Sequence, residues 1–164
     1  MKTKETIYSI LRSKGVSLNQ GLDIAEVTIQ QSRKLDLPMS LILAVMRKES
    51  LFSPFTVSSQ NAMGIMQVHP ITWGEYVEKL NLNVSTHAAF DPVTNIVVAT
   101  HVLEDLHKYY KKNGRSESET WESTLSAYYG GKTSLSQTGM TRSHTKYVAD
   151  VNSFKVEFDE KFER

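Results

Sequence analysis

The sequence predicts an all-α, or nearly all-α, single domain over residues 1–164, and three observations carry that reading. Apolar residues recur at helical spacings through most of the chain. Start and stop signals bracket those stretches at Pro38, Asp91-Pro92, Ser116 and Gly130-Gly131. No segment sustains the alternation of a half-buried strand, so a short hairpin is the most sheet expected.

Leu22, Ala25, Ile29 and Leu35 lie roughly on one face of a first helix. It should stop near Leu37, because Pro38 disfavours helical geometry in the residue before it. Residues 39 to 50 form a second, strongly apolar helix. Glu75 and Glu78 fall on what looks like another. Asp91-Pro92 is a helix start, with a capping carboxylate and a proline in the first turn. Its stripe Ile96, Ala99, Leu103, Leu106, Tyr110 runs to a break at Asn113-Gly114. Ser116 and Glu119 have capping-box spacing. Trp121, Leu125 and Tyr128 follow on one face, and Gly130-Gly131 closes that helix. Tyr147, Val151, Phe154, Phe158 and Phe162 make a last stripe.

Size and composition bound the function. The 164 residues, 40% hydrophobic and 23% charged, suit one globular domain with a real core. A formal net charge of +1 gives no argument for nucleic acid. No stretch approaches the roughly 20 apolar residues of a membrane span. The N-terminus has charges but no apolar segment after them, so it does not read as a secretory signal. With no cysteine, disulfides and thiolate metal sites are excluded. His69, His87, His101, His107 and His144 show no HxxxH or HExxH spacing, so no metal is expected. Lys108, Lys111, Lys112 and Arg115 cluster beside Tyr109 and Tyr110 and read as a solvated helix end.

Glu49 stands out. Ile42, Val45 and Met46 lie seven, four and three positions before it and project on its side of the helix, whereas Arg47 and Lys48 point elsewhere. A carboxyl on an apolar stripe is desolvated, which raises its pKa and keeps it protonated, as a general acid at neutral pH requires. The bland alternative is a surface residue at a fraying helix end. The loop that follows holds Ser50, Ser58, Ser59, Gln60, Asn61 and Gln67, interleaved with Met63, Gly64 and Met66. Hydroxyls and amides that both donate and accept suit a sugar, and Gly64 would let the backbone approach a ligand. A polar surface loop with two methionines tucked into the core fits the same residues.

The order Glu49-Ser50, Phe52-Ser-Pro54, Val57-Ser58, Ala62-Met63-Gly64-Ile65-Met66-Gln67 and Pro70 resembles the soluble lytic transglycosylases of the bacterial cell wall. Their motifs read ES-x-F-x-P, V-S and A-x-G-L-M-Q-x-x-P. Downstream, Ala127-Tyr128-Tyr129-Gly130-Gly131 is similar to the family's A-Y-N-A-G, and Tyr147-Val148 to its closing Y-V. The resemblance covers roughly residues 22 to 150 and implies a lysozyme-like α-domain. By position it makes Glu49 the single catalytic acid and base. It gives Ser58, Gln67, His69, Tyr128, Tyr129 and Tyr147 to the saccharide groove, with the backbone near Met63, Gly64 and Met66 as its wall and Tyr128 beside the glutamate. The chain departs from the pattern at His69, where members often carry methionine, and at Tyr129 and Gly130, which replace asparagine and alanine.

The activity the resemblance implies is cleavage of peptidoglycan between N-acetylmuramic acid and N-acetylglucosamine, leaving 1,6-anhydro ends, with no metal or cofactor. Most glycosidases use two carboxylates. Between Glu49 and Gln67 there is no second one, and Glu75, Glu78 and Asp91 read as solvated or capping residues. Two rivals stay open: a hydrolytic lysozyme of the goose type, with Asp91 as its remote second acid, and a non-catalytic peptidoglycan-binding module. A monomer acting at the cell wall is expected. With no signal in the chain, delivery by phage is favoured slightly over a secretion or conjugation machine whose signal has been removed.

Overall fold

Residues 2–163 are described by a computed structural model of the chain. Eight α-helices account for most of them: α1 (Lys2–Arg12), α2 (Leu18–Leu35), α3 (Met39–Ser50), α4 (Pro70–Lys79), α5 (Pro92–Lys111), α6 (Glu117–Gly130), α7 (Lys132–Thr138) and α8 (Arg142–Glu163). A 3₁₀ turn, Thr86–Phe90, precedes α5. Sheet is reduced to two isolated antiparallel bridges, Val57 with Met63 and Met63 with Val68.

The predicted boundaries have visible causes. α2 stops where Asp36 turns left-handed at φ 53°, two residues before Pro38. The Asp91 carboxylate accepts from the Thr94 N–H, and Pro92 opens α5. Ser116 and Glu119 close a reciprocal capping box on α6, and Gly131, at φ 85°, ends it.

α3 is the axis of the fold. Its residues Ser40 to Met46 are buried without a break, the mark of a helix enclosed on all sides. It packs chiefly on α8, while α5 lies against both α2 and α6, and α1 rests on α2. Ile42, Leu43, Val45 and Met46 are fully buried; each contributes about 1.5–3 kcal/mol of hydrophobic stabilisation. From the far side Val151 and Phe158 of α8 complete that core.

Two expectations about packing need correction. Leu22 is 37% exposed; the buried face of α2 runs instead through Gly21, Ile24, Ala25, Val27, Thr28 and Gln31. Two of those are polar and satisfied internally: Thr28 donates to the Ile24 carbonyl, and the Gln31 amide oxygen accepts from Thr100. The helices α1 and α7 were not anticipated. α1 is held by Ile7, Ile10 and Leu11, whereas α7 buries none of its residues.

Candidate active site

Glu49 is the penultimate residue of α3, on the face that Ile42, Val45 and Met46 carry into the core. Arg47 and Lys48 are drawn away to α8, where they pair with Glu157 and Asp150 at 2.6 and 2.7 Å. Desolvation is the main cause that lifts the Glu49 carboxyl to a pKa of about 7; a hydrogen bond from Tyr147 and the charge of Lys48 pull the other way. The Tyr147 hydroxyl donates to Glu49 Oε1 at 2.5 Å. Burial, followed by the charge of Glu49, pushes the phenols of Tyr128 and Tyr147 well above the ordinary tyrosine range. Both therefore stay protonated wherever Glu49 titrates and remain donors.

The chain leaves α3 through two consecutive left-handed residues, Leu51 (φ 54°) and Phe52 (φ 67°). This reversal drops Phe52 into the core, 6.4 Å from the ring of Phe158. Ser50 then fastens the helix end to the next loop by donating to the Ile65 carbonyl at 2.7 Å.

That loop is fixed from beneath. Asn95, fully buried on α5, donates to the carbonyls of Met63 and Ala89 at 3.0 and 2.9 Å. Its Oδ1 accepts from the Met66 N–H at 2.9 Å. Tyr128 donates to the Met66 carbonyl at 2.7 Å. Gln67, at φ 54°, donates both amide hydrogens inside the loop, to the Thr56 and Gly64 carbonyls at 2.8 and 2.9 Å. Its Oε1 is the acceptor left over. Ser58 Oγ accepts from the N–H groups of Gln60 and Ala62 and shapes the turn before the loop.

Several of the residues assigned to the groove by sequence do other work. The side chains of Met63 and Met66 are buried in the core, so this loop can offer a ligand only backbone there. Gly64 faces inward: at φ +83°, a Cβ would lie 2.1 Å from the Ala89 carbonyl oxygen and 2.4 Å from Asn95 Nδ2. Its glycine is required by packing against α5 rather than by approach of a sugar. Tyr147, taken as a groove residue, is 2% exposed and bonds the glutamate, the role sequence reasoning offered to Tyr128. Tyr129 is 47% exposed and stacks on Tyr147 at 4.8 Å between ring centres. His69 is exposed and precedes α4 as its N-cap residue.

Asp91, the remote second acid, is committed to capping α5 through the Thr94 N–H and hydroxyl, while Glu75 and Glu78 are exposed on α4. Asn95 is the support that sequence reasoning passed over, whereas Ser50, read there as a polar loop residue, ties the end of α3 to the Ile65 carbonyl. A signal for Asn95 was present: an amide beside Ile96, four residues before Ala99, sits on the apolar side of α5.

Residues 26–150 match the family model described as the transglycosylase SLT domain. Over 109 residues the chain is 36% identical to the membrane-bound lytic murein transglycosylase C of Shigella sonnei, across 65% of this chain and 30% of that one. An inactive mutant of the lytic transglycosylase Slt of Pseudomonas aeruginosa shares the fold with a TM-score of 0.73 at 23% identity, over 84% of this chain and 24% of its own. The 70 kDa soluble lytic transglycosylase of Escherichia coli does so with a TM-score of 0.68 at 22% identity, over 82% and 24%. The chain thus spans less than a third of the length of each. No helix among the described residues is long and apolar enough to cross a membrane.

Proposed function

The chain belongs to the transglycosylase SLT domain family, and from that premise we propose that it is a peptidoglycan lytic transglycosylase in which Glu49 is the sole acid and base. The observation that carries this reading is a carboxyl held near pKa 7 by burial, with a tyrosine hydroxyl on one oxygen. A group of that pKa is half protonated at neutral pH, so it can give a proton in one step and take one in the next.

In the first step Glu49 protonates the oxygen joining N-acetylmuramic acid to N-acetylglucosamine, and the bond to the muramoyl C1 breaks. The substrate's own 2-acetamido carbonyl supports the cationic carbon. Glu49, now a carboxylate with the Tyr147 donor on Oε1, removes the proton of the muramoyl 6-hydroxyl. That oxygen attacks C1, closes the 1,6-anhydro ring and returns Glu49 to its protonated form. Tethered attack enjoys a high effective concentration over bulk water. The braced loop from Met63 to Gln67 and the half-exposed ring of Tyr129 are the groove surfaces this reading assigns to the saccharide, with Gln67 Oε1 free to accept from an N-acetyl N–H. The bacterial cell wall is the site of action that this substrate implies.

Digestion of purified sacculi, followed by mass spectrometry of the released muropeptides, tests the reading. The expected ends are 1,6-anhydromuramoyl, one water lighter than reducing ends. Mainly reducing ends would overturn it in favour of a goose-type lysozyme, and binding without release would favour a non-catalytic module.

A further inference from the structure

We infer that His144 is a positioning residue that sets the angle of the Tyr147 hydroxyl on Glu49 through the ring of Tyr129; the inference rests on the reading of Glu49 as acid and base. His144 is the third residue of α8 and 5% exposed. Tyr129 meets it edge-on, with 5.4 Å between ring centres and 90° between planes. The other side of the contact is the stack of Tyr129 on Tyr147, tilted by 26°. Three rings in series therefore end on the hydroxyl that donates to Glu49.

The imidazole has a slot built for it. A Cβ on Gly130 would lie 2.2 Å from Nε2 and 3.1 Å from both Cδ2 and Cε1. No left-handed backbone explains that glycine, so the ring itself is what fills the space. On its other edge Nδ1 accepts from the Thr141 N–H at 3.2 Å and lies 2.7 Å from Thr141 Oγ1. Thr141 and His144 thereby form a capping box with an imidazole in the carboxylate's place.

The cap alone does not account for a histidine. With Nδ1 accepting, the neutral ring carries its proton on Nε2, and that buried nitrogen has no hydrogen-bond partner among the described residues. A glutamine could close the same box through its Oε1, so the cap does not select a ring whose buried N–H goes unpartnered at a cost. What the imidazole adds is a flat, rigid edge against Tyr129. Without it, Tyr129 can tilt and Tyr147 can lose its line to Oε1.

Two variants test this. H144Q keeps a side chain able to close the cap but removes the flat edge, and G130A drives a methyl into the imidazole while leaving every ring in the sequence. The primary readout is the titration of the Glu49 side-chain carboxyl by carbon-13 NMR. Because the Tyr147 bond favours the ionised form, weakening it should raise that pKa by about one pH unit. With sacculi, kcat should fall about tenfold with little change in KM, and the half-maximal pH of cleavage should move upward by the same interval. Melting temperature distinguishes a cap from a positioning residue: a mere cap lowers stability and leaves the carboxyl where it was. If H144Q and G130A both titrate Glu49 at the wild-type value, the inference is overturned; if one variant does not fold, the other decides. The titration needs no substrate, so an inactive wild-type protein would sink the enzymatic reading and still leave this test to run.

Discussion

Replacing Glu49 with glutamine should make the protein more stable, by a margin that opens above about pH 4.5 and is complete above about pH 7. The glutamate's folded pKa of about 7 lies above its ordinary value of 4.5. A carboxyl shifted upward in this way contributes its full stability below the unfolded pKa and loses it as pH rises from 4.5 through 7. At 1.36 kcal/mol per pH unit the interval corresponds to about 3 kcal/mol, reduced to about 2–3 by the partial exposure of the side chain. The Gln variant never ionises, and its Oε1 can still accept from Tyr147. Urea denaturation at pH 4 and pH 8.5 measures both proteins. The expected difference is near zero at the lower pH and about 2–3 kcal/mol in favour of Glu49→Gln at the higher, or about 4–12 °C in melting temperature for a domain of this size. An offset of the same size at both pH values would refute the account, because a packing change has no reason to follow the titration. Wall cleavage should meanwhile drop by 10²–10⁴ or more, so stability and activity move in opposite directions.

Tyr147→Phe keeps the ring stack and deletes the hydroxyl; the Glu49 pKa should rise above about 7 and the pH–rate profile on sacculi should shift to higher pH, with a loss of about tenfold or more in rate. Asn95→Ala takes the partner from the Met66 N–H and the Ala89 carbonyl, while the Met63 carbonyl keeps the Val68 N–H, and denaturant melts should report a loss of about 2 kcal/mol or more. Gly64→Ala sets a methyl against the Ala89 carbonyl at a backbone angle that only glycine adopts easily, so its melting temperature should fall further than that of any other single substitution in the loop.

The parts of this molecule that could be read in advance are those whose causes lie within one or two helical turns. Pro38 marks a boundary because its ring constrains the residue before it. Glu49 shares a face with Ile42, Val45 and Met46 whatever the rest of the chain does. The Asp91 cap and the Ser116–Glu119 box are equally local, and all of these are present in the structure. What escaped notice depends on partners far along the chain. Leu22 looked like core because the polar residues that actually fill that face, Thr28 and Gln31, are acceptable there only through hydrogen bonds, one of them to Thr100 on another helix. Tyr147 meets Glu49 across 98 residues, and nothing at either end of that separation tells Tyr147 from Tyr128 as the donor. Gly64 was legible as a glycine with a purpose, but its purpose, room for Asn95 and Ala89, belongs to α5 and the turn before it.

The grip of Asn95 on the loop also governs how that loop can move. Surface loops ordinarily open on their own, with free energies near zero, while core helices open only with the whole domain. Here the Met66 amide is bonded to a side chain rooted in the first turn of α5, and the same side chain holds the carbonyl of Met63. The loop from Met63 to Gln67 should have no opening of its own to undergo: releasing it means prising a buried amide out of the helix beneath. Its exchange with solvent hydrogen should therefore keep the slow time of α5, and the wall facing the glutamate should behave, on the scale of a catalytic cycle, as part of the core.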